Sequence, residues 1–444
     1  MSDPWESKME ISVQKPNFNV SLRAAVFALV VVCVLPVGFA QAARAQTYTV
    51  IYNFTVSGGV LPAAGLTIDA AGNFYGTTTQ SSYYGSVFKL SHRGSGWVFT
   101  PLYLFQGDDD GAAPIARVVF GPDGSLYGTT EDGGGLCSGP GCGTVFKLRP
   151  PAAACKTALC PWTETVLYRF AGNPDGAVPD SEVVFDAVGN MYGTTLVGGT
   201  GGGTVFQMTP SNGGWKESVL HTFIGSDNGD GSRPMGGVLL DKAGNLYGTT
   251  QYGGTGQQAY GTLYQLTPTG GGWMENILYN FDFSGSGGYF PFAGLTSDNS
   301  GHLYGATTQG ALNSGAVFQI PPSGGTLIQL YAFETNADCY QQMQWSCYGP
   351  YDSLTMGPDG SLYGTTHSVG AYALGNVFKL TFSQGSWVYT SLHDFVGSDG
   401  AYPNGPLVFD KNGNLYGTTE EGGPNGPPCT GSPGGCGVIF EITP

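Results

Sequence analysis

Apolar and polar residues alternate along this chain in short bursts. Runs such as LYGTT (126–130), GTVFKL (143–148) and NVFKL (376–380) mix Val, Phe, Tyr and Leu with Thr and Lys, and Gly, Asn or Asp bound them. A period of two with such boundaries predicts β-strands joined by tight turns. Beyond residue 45 no stretch sustains a 3.6-residue period, so the pattern predicts no helix there.

The bursts themselves repeat. NLYGTT stands at 245–250 and 414–419, and close variants stand at 74–79, 126–131, 191–196, 303–308 and 362–367. Thirteen residues before each tyrosine lies a proline: Pro62, Pro114, Pro179, Pro234, Pro291, Pro350 and Pro403. Asp or Gly follows each proline by seven residues, and Gly by ten, as in Asp241 and Gly244. The apolar pair Leu239-Leu240 then reads as a strand, Asp-x-x-Gly as a turn, and NLYGTT as the returning strand. A third strand carries pairs such as Val145-Phe146 and Val205-Phe206. A fourth opens on Trp and ends on Phe, as in Trp215/Phe223 and Trp273/Phe281.

Four antiparallel strands with two apolar faces cannot bury themselves alone, and stacking such sheets around an axis solves the problem. The expected fold is all-β, a seven-bladed β-propeller with four antiparallel strands per blade. The last repeat ends after its third strand, and TYTVIYNF (47–54) matches a fourth strand. Residues 47–54 are therefore expected to pair with 437–442, closing blade seven and removing a bare edge. No anchor is expected after Pro444.

Residues 24–40 form an apolar run preceded by Lys8, Lys15 and Arg23 and followed by small residues. That layout predicts a signal peptide over 1–45 and a propeller over 46–444. Protein secreted, periplasmic or held at the cell surface is expected, with no stable membrane insertion after cleavage. Net charge is −16 over 444 residues. Such a surface repels phosphate backbones and excludes nucleic acid as a partner. Charged residues make up 11% and aromatics 13%, the opposite of a disordered composition.

Through LYGTT, GTVFKL and DGxxP, residues 47–444 resemble the GloVer tandem-repeat family of bacterial extracytoplasmic proteins. The resemblance implies export and a propeller, and it assigns no catalytic residue or ligand.

Eight cysteines follow the leader as close pairs, Cys137/Cys142, Cys155/Cys160, Cys339/Cys347 and Cys429/Cys436. An even count in an exported chain reads as local disulfides, each contributing roughly 2 kcal/mol. The spacings are too wide for the usual zinc pairs.

The loops between blades carry Asp110, Asp175, Asp230 and Asp399, and the loops after YGTT carry Glu131, Asp132, Glu420 and Glu421. These should share one face with Tyr84, Tyr252, Tyr260, Trp345, Tyr372 and Tyr402. Aromatics among Gly and Ser suit recognition of a sugar ring or a protein surface. His221 and His393 occupy a slot that holds Tyr in the other copies, and a packing role is expected for them. No catalytic triad or metal constellation can be assembled from repeat positions. No cofactor is expected, although Asp108-Asp109-Asp110 and Asp227-Asn228-Gly229-Asp230 offer oxygens that calcium could use. The sequence favours an exported, monomeric, non-catalytic propeller binding a glycan or protein. The alternatives are a glycoside hydrolase or lyase using loop carboxylates, and a structural cell-surface repeat protein.

Overall fold

Each residue of the repeated LYGTT strand has a separate structural task, and together they account for the blade. In blade four, Asp241 accepts hydrogen bonds from the Ala243 and Asn245 amides (2.8 and 2.9 Å), the Asn245 side chain (2.8 Å) and the Tyr247 hydroxyl (3.2 Å). The tyrosine thus secures the turn that precedes it. A Cβ on Gly248 would overlap the ring of Tyr264 on the third strand. Thr249 donates to the Ala293 carbonyl of the next blade (2.9 Å), and Thr250 bonds Thr262 on the third strand (2.8 Å).

The computed structural model describes residues 46–55, 59–79, 84–151, 162–225, 229–255, 260–283, 287–310, 313–334, 347–424, 429 and 434–444. The expected leader 1–45 lies outside the described residues, as do Trp345, Cys155, Cys160 and Cys339. Gln46–Pro444 forms one compact unit. Among the described residues no helix is long and apolar enough to cross a membrane.

Blade four is an antiparallel sheet of Leu239–Leu240, Leu246–Thr250, Thr262–Thr269 and Gly272–Asn280 in that order, and the other six blades repeat it. The protein is a seven-bladed β-propeller. Its seventh blade takes Val408–Phe409, Leu415–Glu421 and Val438–Thr443 from the C-terminal end and Thr47–Asn53 from the N-terminal end. The pairing expected between 47–54 and 437–442 is present, and its register runs from Thr47↔Thr443 to Asn53↔Val438.

One irregularity marks the fourth strands. Leu102, Leu167, Leu220, Leu278, Leu330 and Leu392 each form a bulge opposite the third strand. Ile51 does the same in the N-terminal strand, so this segment copies the missing strand down to its bulge. Bulges sharpen the local twist.

The core lies between blades. The Phe that ends each fourth strand meets the third-strand aromatic of the next blade, edge-on at six of the seven boundaries and tilted at Phe281–Phe318. Phe105–Phe146 (5.1 Å), Phe170–Phe206 (5.2 Å) and Phe223–Tyr264 (5.1 Å) are examples. Phe54–Phe88 (5.3 Å) completes the circle from blade seven to blade one. Edge-to-face pairs at such spacing add about 0.5–1.5 kcal/mol beyond area burial.

Cys137–Cys142 and Cys429–Cys436 are disulfides, each inside one loop, with Cα separations of 5.6 and 5.2 Å. Cys347 is also disulfide-bonded.

Candidate functional site

The residue before six of the seven repeat prolines has a left-handed backbone, from Ala113 (φ 52°) to Val178 (φ 61°). Its amide and carbonyl are tied down: the Val178 amide donates to the Cys142 carbonyl (3.0 Å), and the Leu196 amide donates to the Val178 carbonyl (2.8 Å). This turn leads the next three residues to the propeller axis. All seven blades contribute such residues to a central cavity of about 630 Å³. That volume falls in the range of small-ligand sites.

Carboxyl groups line much of the cavity wall. Glu131, Asp132 and Asp180 line it from blades two and three, and Glu420 from blade seven. Burial pushes the Asp180 carboxyl well above the usual range, and the charges of Glu131 and Asp132 push it further. Its Oδ1 is fully buried and finds no hydrogen-bond partner. Burial, with the Asp132 charge added, also raises Glu131, and burial, with Glu421 added, raises Glu420. Across the ring, Phe292 and Tyr351 line the cavity with their rings 4.9 Å apart. Tyr351 also packs on His367 at 4.8 Å, and Tyr402 stacks on His367 at 5.0 Å. Burial lowers the His367 imidazole to about 4, so it is neutral at pH 7.

The cavity also holds Arg117, Glu182 and Asp352. Arg117 Nε pairs with Glu182 Oε2 at 2.5 Å. Burial raises Asp352 to about 6, with Glu182 adding to the rise and the Gly405 amide opposing it.

The interblade aspartates turn back onto their own blades. Asp110 accepts from the Tyr103 hydroxyl and the Gln106 amide, both at 2.9 Å. Asp175 accepts from the Tyr168 hydroxyl (2.7 Å) and the Ala171 amide (3.1 Å). Asp230 accepts from the Ile224 and Gly231 amides (2.7 and 2.6 Å). Asp399 pairs with His393 Nε2 (2.8 Å) and accepts from the Val396 amide (2.9 Å). Of the expected carboxylates, then, Glu131, Asp132 and Glu420 reach the cavity; Glu421 extends the second strand of blade seven, opposite Ala401. Tyr84 and Tyr372 stand 58% and 54% exposed on the loops. Tyr252 packs edge-on against Phe290, and Tyr260 joins Phe283, Tyr289 and Phe290 in an aromatic cluster.

The packing role expected for His393 holds, with its ring stacked on Tyr48 at 3.6 Å. His221 packs edge-on against Phe223 (4.7 Å) and also faces two carboxylates.

Sequence reasoning passed over Asp180, Phe292 and Asp352. All lie one or two residues after a repeat proline, where the copies differ most. Variable letters inside a fixed frame were the available signal. Glu164, Glu217 and Glu275 share another such slot, two residues after the fourth-strand Trp.

The Gloeobacter/Verrucomicrobia repeat family matches residues 38–163, 141–345 and 340–444. The chain belongs to this family. No curated protein matches the repeat protein in sequence. Solved structures are similar to it at low identity. A protein from Lactobacillus plantarum is 14% identical, with 84% of this chain and 99% of that one covered and a TM-score of 0.50. A putative oxidoreductase (glucose dehydrogenase) from Thermus thermophilus is 14% identical, with 90% and 100% covered and a TM-score of 0.41. TolB from Acinetobacter baumannii is 13% identical, with 69% and 59% covered and a TM-score of 0.38.

Proposed function

We propose that this repeat protein is an exported binding propeller that holds a glycan at the mouth of its axial cavity. The observation that carries the reading is that carboxyls such as Glu131, Asp132 and Asp180 and the rings of Phe292 and Tyr351 line one cavity. Carboxyl oxygens accept from sugar hydroxyls, and flat rings pack on the apolar face of a pyranose. Export rests on the leader pattern of 1–45 and on the disulfides Cys137–Cys142 and Cys429–Cys436, which persist in oxidising compartments.

Burial raises Glu131, Asp132, Asp180 and Glu420 alike, which suits carboxyls that share hydrogen bonds with sugar hydroxyls.

A glycan array probed with the purified mature chain tests the reading, with mass spectrometry of the supernatant for released sugars. Saturable binding is expected, without product, and Tyr351→Ala should weaken it by roughly tenfold, the scale of one lost ring contact. Released oligosaccharide would move the assignment to a carbohydrate-active enzyme. A silent array with capture of a protein partner would move it to protein recognition.

A further inference from the structure

At three consecutive blade boundaries, one arrangement recurs. The fourth strand of one blade offers a polar ring, the interblade loop an aspartate, and the fourth strand of the next blade a glutamate. The sets are Tyr103/Asp110/Glu164, Tyr168/Asp175/Glu217 and His221/Asp230/Glu275. In the first two, the tyrosine hydroxyl donates to the aspartate at 2.9 and 2.7 Å. In the third, an imidazole replaces the phenol, and its geometry differs in kind. His221 Nε2 lies 3.6 Å from Asp230 Oδ1 and 3.5 Å from Glu275 Oε1, beyond a good hydrogen bond to either. Glu275 Oε1 is fully buried without a hydrogen-bond partner among the described residues, as Glu164 Oε1 and Glu217 Oε1 are in the sister sets, but only the third set adds an unpaired, buried ring nitrogen, His221 Nε2.

We propose that His221, Asp230 and Glu275 bind one divalent transition-metal cation, Zn2+ fitting best, across the boundary between blades three and four. One ligand atom from each of the three lies within 4.8 Å of the others. Zinc bonds to nitrogen and carboxylate oxygen are about 2.0–2.2 Å, so tetrahedral ligands stand roughly 3.3–3.6 Å apart. The two histidine-centred separations are close to that before any ion is bound. One imidazole and two carboxylates suit zinc or its first-row neighbours, whereas calcium and magnesium want oxygen alone. The Ile224 and Gly231 amides already orient Asp230, which is the outer support a ligating carboxylate needs. Three protein ligands leave a fourth position for water. The ion would tie two outer strands and the loop between them, which makes it a clamp on the ring.

The sister boundaries supply the control. His221→Tyr recreates the Tyr–Asp contact of Tyr168 and Asp175, so that variant should fold without the ion. The mature protein is stripped with chelator, equilibrated with Zn2+ alone, desalted and assayed for metal by mass spectrometry. Thermal melts are recorded with Zn2+ and with Mg2+. One tightly held zinc per chain is expected, with a Tm raised by Zn2+ and not by Mg2+. His221→Tyr should abolish both effects, and Glu275→Gln should weaken binding by more than roughly tenfold, the loss typical of outer-sphere changes alone. His393→Tyr should leave binding intact, because His393 stands on another blade, where it already bonds Asp399 at 2.8 Å. Co2+ added to the stripped wild-type chain should give the visible absorption of a four-coordinate site, a readout that needs no variant. Zinc retained equally by wild type and His221→Tyr overturns the proposal, as does a wild-type chain that holds no zinc and shows no cobalt band.

Discussion

At the scale of single residues, the turn before each LYGTT strand does the most local work. Asp69, Asp186, Asp241 and Asp298 each accept from two backbone amides, one side chain and the strand tyrosine. In blades two and six a glycine takes that place, and the aspartate two residues later compensates. Asp123 accepts from Ser125 and Tyr127 and pairs with Lys147 at 2.5 Å; Asp359 accepts from Ser361 and Tyr363 and pairs with Lys379 at 2.7 Å. Asp241→Ala should therefore cost about 2 kcal/mol in urea unfolding, the scale of a charged acceptor lost to several donors, with Asp241→Asn costing less. The boundary glutamates behave in the opposite sense. Burial lifts Glu164 and Glu217 from the usual 4.5 to about 7, with the charges of Asp110 and Asp175 adding to it. Between those values the folded chain keeps protons that the unfolded chain has released, so stability falls as pH rises through that window and levels off above it. Glu164→Gln/Glu217→Gln should raise Tm at pH 7.5 and flatten the slope between pH 5 and 7. An unchanged slope would mean that these carboxyls are ionised throughout.

At the scale of strands, much of the fold was legible because each task recurs at a fixed offset. The Pro, Asp-x-x-Gly, LYGTT and Val-Phe positions gave blade count and strand order, and TYTVIYNF matched a fourth strand closely enough to place it. The bulge at Ile51 was not legible, since an extra residue in a pairing leaves no letter of its own. The boundary sets were hidden for a different reason. Asp110 and Glu164 are 54 positions apart and belong to different repeats, so only the stacked blades bring them together. The N-terminal strand also carries side chains that no other segment can supply. Tyr48 stacks on His393 and donates to the Asp399 carbonyl at 2.7 Å, and Phe54 packs on Phe88. Removing 46–54 strips blade seven of its fourth strand and leaves Val438–Thr443 as an open edge, a template for intermolecular pairing. The shortened chain should melt far lower and elute as dimers or larger species in size-exclusion chromatography. A synthetic peptide of residues 46–55 added in excess should restore part of the Tm.

At the scale of the whole molecule, the same ring that repeats in its walls is irregular at its axis. Five LYGTT threonines pass the circle on by donating to the next blade's backbone, from Thr77 to Ala116 and finally from Thr418 to Ala64. Those bonds use backbone acceptors, so they leave the axial side chains free to vary, and Ala63, Met235 and Asp180 can occupy one slot. This freedom is why the cavity could not be read from the repeat. It also means that a polar pair at the axis has no equivalent elsewhere to share its load. Arg117 and Glu182 come from the entries to blades two and three, and Asp352 interacts with both from blade six. Taking Arg117 away leaves two carboxyls facing each other with no cation between them. Arg117→Ala should cost about 1 kcal/mol, below the scale for breaking a fully buried pair from one side, because both side chains stay about a quarter exposed on the cavity wall. Arg117→Met/Glu182→Met should recover most of that loss, since it removes the stranded charge together with its partner. If urea unfolding instead shows both variants equally impaired, Arg117 contributes through packing of its stem on the channel wall, and the ion pair adds nothing to the stability of the ring.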